Sequence, residues 1–394
     1  MAANEGLMRV RGNGDTRVVP IELFFDLVYV LAVTQLTHQL LTHLSLRGAA
    51  ETLLLLVAVW TAWMYTAWVT SWFDPSTLQV RLMLIGVMLG SLLMSAAIPE
   101  AFDDRGLEFA GAFVAIQVGR TAWVLAVVGR RHELTANFQR VTVWLLATGA
   151  VWIAGALAEG DSRMAIWTLA VVLEVAAVWL RFPVPGLGRS ETAQWTIAGE
   201  HLAERCLLFV ILALGESIIV TGAGFGELPV ARETTAAFVV AFVTSVAFWW
   251  IYFDRGAELG MEIIARSDDP GRLGRSAYSY YHIPMIAGII VAAAADEELI
   301  AHPLDPATIE TTALVLGGPA LYLAGNALFK WALWEYVPWS RIAALAALAA
   351  LVPVAAVASL LALAVCATAV VVSLAVRDTV RARSHLQHHA ALRR

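Results

Sequence analysis

The chain has 394 residues, 59% of them hydrophobic and 15% charged, with a net charge of −6 and a mean hydropathy of +0.71. Soluble domains carry nearer a quarter charged residues, so this composition excludes a water-soluble globular protein, and the acidic balance argues against a nucleic-acid partner. The two cysteines, Cys206 and Cys366, fall in apolar runs. They read as small core hydrophobes and exclude a disulfide framework or a zinc site.

The pattern predicts an all-α polytopic integral membrane protein. Residues 1–16 are polar, have no cleavable signal, and read as a cytoplasmic N-terminal tail. Apolar runs of spanning length follow at 20–40, 51–72, 80–98, 108–129, 140–158, 163–182, 203–222, 234–253, 279–295, 311–331, 341–353 and 354–376. The last apolar stretch, 341–376, would reach about 54 Å as one helix against a hydrocarbon core of ~30 Å. Pro353 lies near its middle, so it reads as two short spans with a tight turn, eleven spans being the alternative. Residues 377–394 form a basic cytoplasmic tail.

The spans divide into a first six-helix half, 17–200, and a second, 201–376. Glu51-Thr52 opens a run ending in Trp72-Phe73-Asp74, and Glu233-Thr234 opens one ending in Tyr252-Phe253-Asp254. The next run has a central glycine in both cases, Gly86 and Gly288. Two parallel six-helix repeats, a common transporter arrangement, are expected. Of the 26 lysines and arginines, only Arg47, Arg105, Arg163 and Arg232 fall on alternate loops, and Arg120 and Arg205 lie within spans. The other 20, Arg11, Arg130, Arg131, Arg255, Arg393 and Arg394 among them, share one side. By the positive-inside rule that side is cytoplasmic. The acidic segments Glu100–Asp104 and Asp296-Glu297-Glu298 then read as outside turns.

Ionisable groups inside a membrane are costly and therefore functional candidates. In the first span Glu22, Asp26 and Tyr29 share a helix face, with Gln35 and His38 farther on. Two carboxylates on one face repel, which suits a proton relay or a cation site. The structural alternative pairs Glu22 with Arg17 and leaves Asp26 bonded to a neighbouring helix. In the seventh span His201, Glu204 and Arg205 lie within one turn, and Glu216 falls near mid-bilayer. A metal site using Glu200, His201 and Glu204 is the weaker reading, because His-x-x-Glu alone is not diagnostic; no metal or cofactor is expected. Arg120, Glu174, His282 and Asn326 complete the buried polar set, with Arg120 expected to pair with Glu174, Asp26 or Glu216. Phosphate-binding and nucleophile-elbow motifs are missing, so coupling to an ion or proton gradient is expected over ATP hydrolysis.

Three ordered motifs carry a resemblance. Glu22-Leu-Phe-Phe-Asp26-Leu-Val-Tyr29-Val is similar to the opening signature of the bacterial low-temperature requirement A family. His201-Leu-Ala-Glu204-Arg205 with Leu214-Gly215-Glu216-Ser217 resembles its second, and Tyr281-His282-x-Pro284 with Gly288, Glu298 and His302-Pro303 its third. The resemblance implies a multi-pass bacterial membrane protein and carries no substrate or catalytic residue with it. A fainter likeness, through Arg17 and Phe24-Phe25-Asp26, is to potassium channels built from six-helix repeats. The leading expectation is a secondary transporter or channel-like protein. Its proton- or cation-coupled polar site would lie between the halves, lined by Glu22, Asp26, Tyr29, Arg120, Glu174, His201, Glu204, Arg205, Glu216 and His282. The alternatives are an intramembrane enzyme acting on a lipid or isoprenoid-like substrate, and a membrane scaffold or sensor. Lipids, a small ion or small molecule, and a second copy of the chain are the compatible partners.

Overall fold

The structure, a computed structural model, describes residues 5–9, 17–129, 132–195, 197–254 and 256–392. Arg11, Arg130, Arg131, Arg255, Arg393, Arg394 and most of the N-terminal tail lie outside the described residues. The described chain is helical, with three isolated β-bridges and no named strand. Among the described residues nine helices are long and apolar enough to cross a membrane. The protein is thus an all-helical, multi-pass membrane protein. Large apolar side chains such as Phe24, Leu82 and Leu93 are exposed on its helices, as lipid-facing positions should be, because hydrocarbon is their solvent.

The chain separates into two compact units, Met1–Phe209 with Ile264–Ser279, and Val210–Ile263 with Tyr280–Arg394. The first contains α1 (Pro20–Thr42), α2 (Leu46–Trp72), α3 (Leu78–Ala96), α4 (Gly106–Val128), α5 (Glu133–Ala156) and α6 (Gly160–Trp179). It also holds the opening turns of α7 (Gly199–Glu227). Proline at the first position starts α1, where its missing N–H is not needed. The Glu22 carboxylate reaches back to accept the Val19 N–H at 3.2 Å. Ser45 caps α2 by accepting the Gly48 N–H at 3.0 Å. Successive helices α3 to α6 pack on one another, α1 lies on α2 and α3, and α2 also touches α4 and α6. Most of α2 is buried and most of α6 is not, so α2 is the axis of this unit and α6 lies at its periphery. Trp152, Trp167, Phe109 and Phe113 interlock beside it.

The second unit holds most of α7, α8 (Arg232–Phe253), most of α9 (Gly256–Ala265), α11 (His282–Ala301), α12 (Ile309–Trp334), α13 (Trp339–Ala350), α14 (Val352–Ala355) and α15 (Leu360–Leu392). The short α10 (Pro270–Leu273) belongs to the first. Helices α11 and α12 approach closely because small residues line the seam. A Cβ on Gly288 would lie 2.5 Å from the Tyr322 nitrogen and 2.7 Å from the Gly318 oxygen. Tyr322 donates to the Phe248 carbonyl at 2.7 Å, tying α12 to α8. Arg341 donates to Asn326 Oδ1 at 3.0 Å. Its Nη2 stands 2.5 Å from Asp378 Oδ2, a close ion pair not aligned as a hydrogen bond.

Several expectations need correction. Asp296-Glu297-Glu298 is not an outside turn: α11 continues to Ala301, carried by the Ala292–Ala295 run of strong helix formers, and Asp296 is buried. Cys206 is buried as expected, but Cys366 is exposed on α15. The expected span at 341–353 falls on Trp339–Ala355, a shorter apolar segment than the spanning helices.

Candidate functional site: a buried ion-pair network

The first turns of α1 and α7 bring together Glu22, Asp26, His201 and Arg205, all four with no exposed surface. Spacing of four residues aligns each pair on its own helix. Arg205 is the hub. Its Nη2 donates to Asp26 Oδ1 at 2.5 Å and its Nε to Oδ2 at 3.3 Å, a two-point fork on one carboxylate. Its Nη1 donates to Glu22 Oε1 at 3.0 Å and to Thr70 Oγ1 at 3.2 Å. The guanidinium also lies over the rings of Phe25 and Trp63, 5.4 and 5.6 Å from their centroids. Trp63 donates its indole N–H to Asp26 Oδ1 at 2.7 Å.

A second cation comes from a residue that sequence reasoning passed over. Residues 5–9 lie along the end of α2: Leu7 O accepts the Asp74 N–H at 2.8 Å, and the Arg9 N–H reaches Trp72 O at 3.0 Å. This places Arg9 Nε on Thr70 O at 2.7 Å and Nη2 on Glu22 Oε2 at 3.3 Å. Two carboxylates thus face two guanidiniums, a formally neutral set, which is the condition for keeping charges in a dry interior. The expected partner of Glu22, Arg17, is replaced by Arg9, Arg205 and His201.

His201 sits where these groups converge. Its Nε2 is 3.0 Å from Glu22 Oε1 and 2.8 Å from Arg9 Nη2, and its Nδ1 is 3.2 Å from Ser71 Oγ. A carboxylate only accepts and an arginine only donates. One ring nitrogen therefore faces an acceptor and a donor at once. With a proton on Nε2 the histidine satisfies Glu22 and opposes Arg9; without it the reverse holds. Glu22, Asp26 and His201 are each committed to a guanidinium, so a metal ion would have to displace an arginine.

The remaining expected site residues are elsewhere. Glu204 accepts the Val18 N–H at 3.0 Å, at the edge of the network. Tyr29 bonds Ser91 Oγ at 2.8 Å, one turn beyond Asp26. Tyr29→Phe is expected to cost about 0.5–1.5 kcal/mol, one neutral hydrogen bond, read as a small fall in melting temperature in detergent. Arg120 does not pair with Glu174 or Asp26. It donates to Ala62 O, Thr66 Oγ1 and Gln117 Oε1 at 3.2, 3.0 and 2.5 Å and lies over Tyr65, neutral acceptors that spacing alone does not reveal. Glu174 accepts the Trp152 indole N–H at 3.0 Å. Glu216 and His282 belong to the second unit; Glu216 is buried, and His282 Nε2 is 2.7 Å from the Tyr252 hydroxyl.

Residues 17–376 match the family described as bacterial low temperature requirement A protein. An uncharacterized protein of Rhizobium meliloti (strain 1021) is 34% identical over 385 residues, covering 98% of this chain and 94% of its own length. No solved structure matches the chain. Both acidic residues of the α1 motif and both basic residues of the α7 motif lie in the network, within the matched span, and the chain belongs to the bacterial low temperature requirement A family.

Proposed function

We propose that the protein is a proton-coupled secondary transporter or channel-like protein of the bacterial cell membrane, with both termini cytoplasmic. Its twelve helical segments, the eleventh of them short, would form two parallel six-helix repeats. The observation that carries the coupling is His201 Nε2, held within 3.0 Å of both a carboxylate oxygen and a guanidinium nitrogen. One proton at this point decides which of two buried partners is satisfied. Its arrival between His201 and Glu22 weakens the hold of Arg205 and Arg9 on Glu22. The Glu22 link between α1 and α7 is then loosened while Asp26 keeps its fork on Arg205. Glu216, a buried carboxyl farther along α7, is a second protonatable group on the same helix. A scaffold is the second reading, favoured by the pairing of every charge in the network.

Purified protein reconstituted into vesicles containing a pH-sensitive dye separates the two. Under an imposed pH gradient with candidate cations and small solutes outside, the wild type is expected to move protons. His201→Gln, which keeps a neutral hydrogen-bonding side chain, is expected to lower that flux by roughly tenfold or more, a usual share of an acid–base group. Proton movement unchanged in His201→Gln, or none in the wild type above empty vesicles, would leave the scaffold reading standing.

A further inference from the structure

Asp296 differs from the carboxylates of the network. It lies on α11 with 6% of its surface exposed, and its buried Oδ2 has no hydrogen-bond partner. Glu22, Asp26 and Glu174 all accept at least one donor. An ionisable group inside a membrane protein without a partner is either kept for a purpose or lost.

Its surroundings are mostly apolar, with two hydroxyls among them. Asp296 lines a cavity of about 20 Å³ in the second unit together with Thr244 of α8, Val315 and Pro319 of α12 and Thr368 of α15. The two threonine hydroxyls are 2.7 Å apart, and Thr244 Oγ1 lies 3.0 Å from Val240 O as its donor. The proton of Thr368 then points to Thr244, and lone pairs remain for a further contact. Pro319 stands inside α12 and has no N–H to give the Val315 carbonyl four residues earlier. Four helices therefore bring a carboxylate and two hydroxyls to a space that holds one water-sized body, lined also by the residue, Val315, whose carbonyl Pro319 leaves without its usual donor. No lysine, arginine or histidine is among the described residues that line it.

One negative charge with neutral oxygen donors suits a hard monovalent cation. A divalent ion takes more ligands, usually several of them charged, and one carboxylate lines this cavity among the described residues. Carbonyls freed by helix irregularities are a recurring means of holding sodium in transporters. We propose that Asp296, Thr244, Thr368 and the Val315 carbonyl bind a single desolvated monovalent cation of sodium size. The site stands whether or not the His201 network moves protons, since it is read by binding and not by flux.

The test is the melting temperature of the purified full chain in detergent, titrated with sodium chloride against N-methylglucamine chloride at constant ionic strength. Binding to the folded state alone raises that temperature by mass action. The expected result is a saturable rise, larger for sodium than for potassium, which disappears in Asp296→Asn. Thr368→Val, which leaves the carboxylate in place, is expected to shift the half-saturating concentration upward by roughly tenfold; it carries the test alone should Asp296→Asn not fold. Equal melting in the two salts overturns the proposal, as does a sodium response that persists unchanged in both variants. A stability that follows only pH, with Asp296→Asn abolishing that dependence, also overturns it and assigns the group a proton instead.

Discussion

Arg205→Ala is expected to destabilise the first unit by about 3–5 kcal/mol, the range for removing one partner of a buried ion pair. The loss is not that of one favourable contact. Among the described residues Arg205 is the one cation bonded to Asp26, and it shares Glu22 with Arg9. Its removal leaves a carboxylate with no exposed surface and, among the described residues, the Trp63 N–H as its remaining donor. A large fall in melting temperature in detergent, or no recoverable folded protein, is the measured outcome. The origin of the effect is checked by repeating the change with Asp26→Asn and Glu22→Gln already present. With the opposing charges gone, removing the arginine should cost far less, because the penalty comes from uncompensated charge. Equal costs in the two backgrounds would mean that Arg205 acts by packing against Phe25 and Trp63.

Gly288→Leu is expected to have the next largest effect, about 1–3 kcal/mol or more, and to act on the second unit. Even a Cβ at this position meets the backbone of α12, at the Tyr322 nitrogen and the Gly318 oxygen. Backbone cannot rotate away as a side chain does, so α11 and α12 must separate. Their seam is continuous: a Cβ on Gly318 would lie 2.8 Å from the Ala292 nitrogen, and one on Gly325 2.7 Å from the Met285 nitrogen. Separation would also disturb the cavity beside Asp296, which draws its walls from both helices. Gly288→Leu should therefore lower the melting temperature and blunt any sodium response. By contrast Gly86→Leu is expected to be mild, since a Cβ there meets nothing within 4 Å.

The membrane class was legible because lipid leaves helices little choice: runs of apolar residues long enough to span are visible without knowing what they touch. Half of the network was legible as well. Glu22 with Asp26, and His201 with Arg205, each show the four-residue spacing that puts two polar groups on one face. That the two faces meet was not legible, because no local pattern links residues 179 apart. Trp63 and Thr70 are seven apart on α2, a spacing that returns to the same face, yet it is shared by many pairs in so apolar a helix. Arg9 carried no signal at all: it sits in a short polar stretch whose pairing with Trp72 and Asp74 is set by backbone hydrogen bonds, not by side-chain pattern. Asp296 was misread for a physical reason. Three consecutive acids after an alanine run look like the end of a span, but alanine sustains a helix well past the point where hydropathy falls.

The separation between Asp26 and Arg205 also bears on how the protein is made. During synthesis the two carboxylates of α1 leave the ribosome some 179 residues before the arginine that holds them. At roughly 5–20 residues per second this is a wait of about ten seconds or longer. Of the two arginines that hold the pair in the finished network, Arg9 is already made, whereas Asp26 waits for Arg205. A carboxylate without its cation is costly in hydrocarbon, so the first helix is expected to stay beside water or the insertion machinery until α7 emerges. Biogenesis, and not only the finished protein, is then sensitive to the first nine residues.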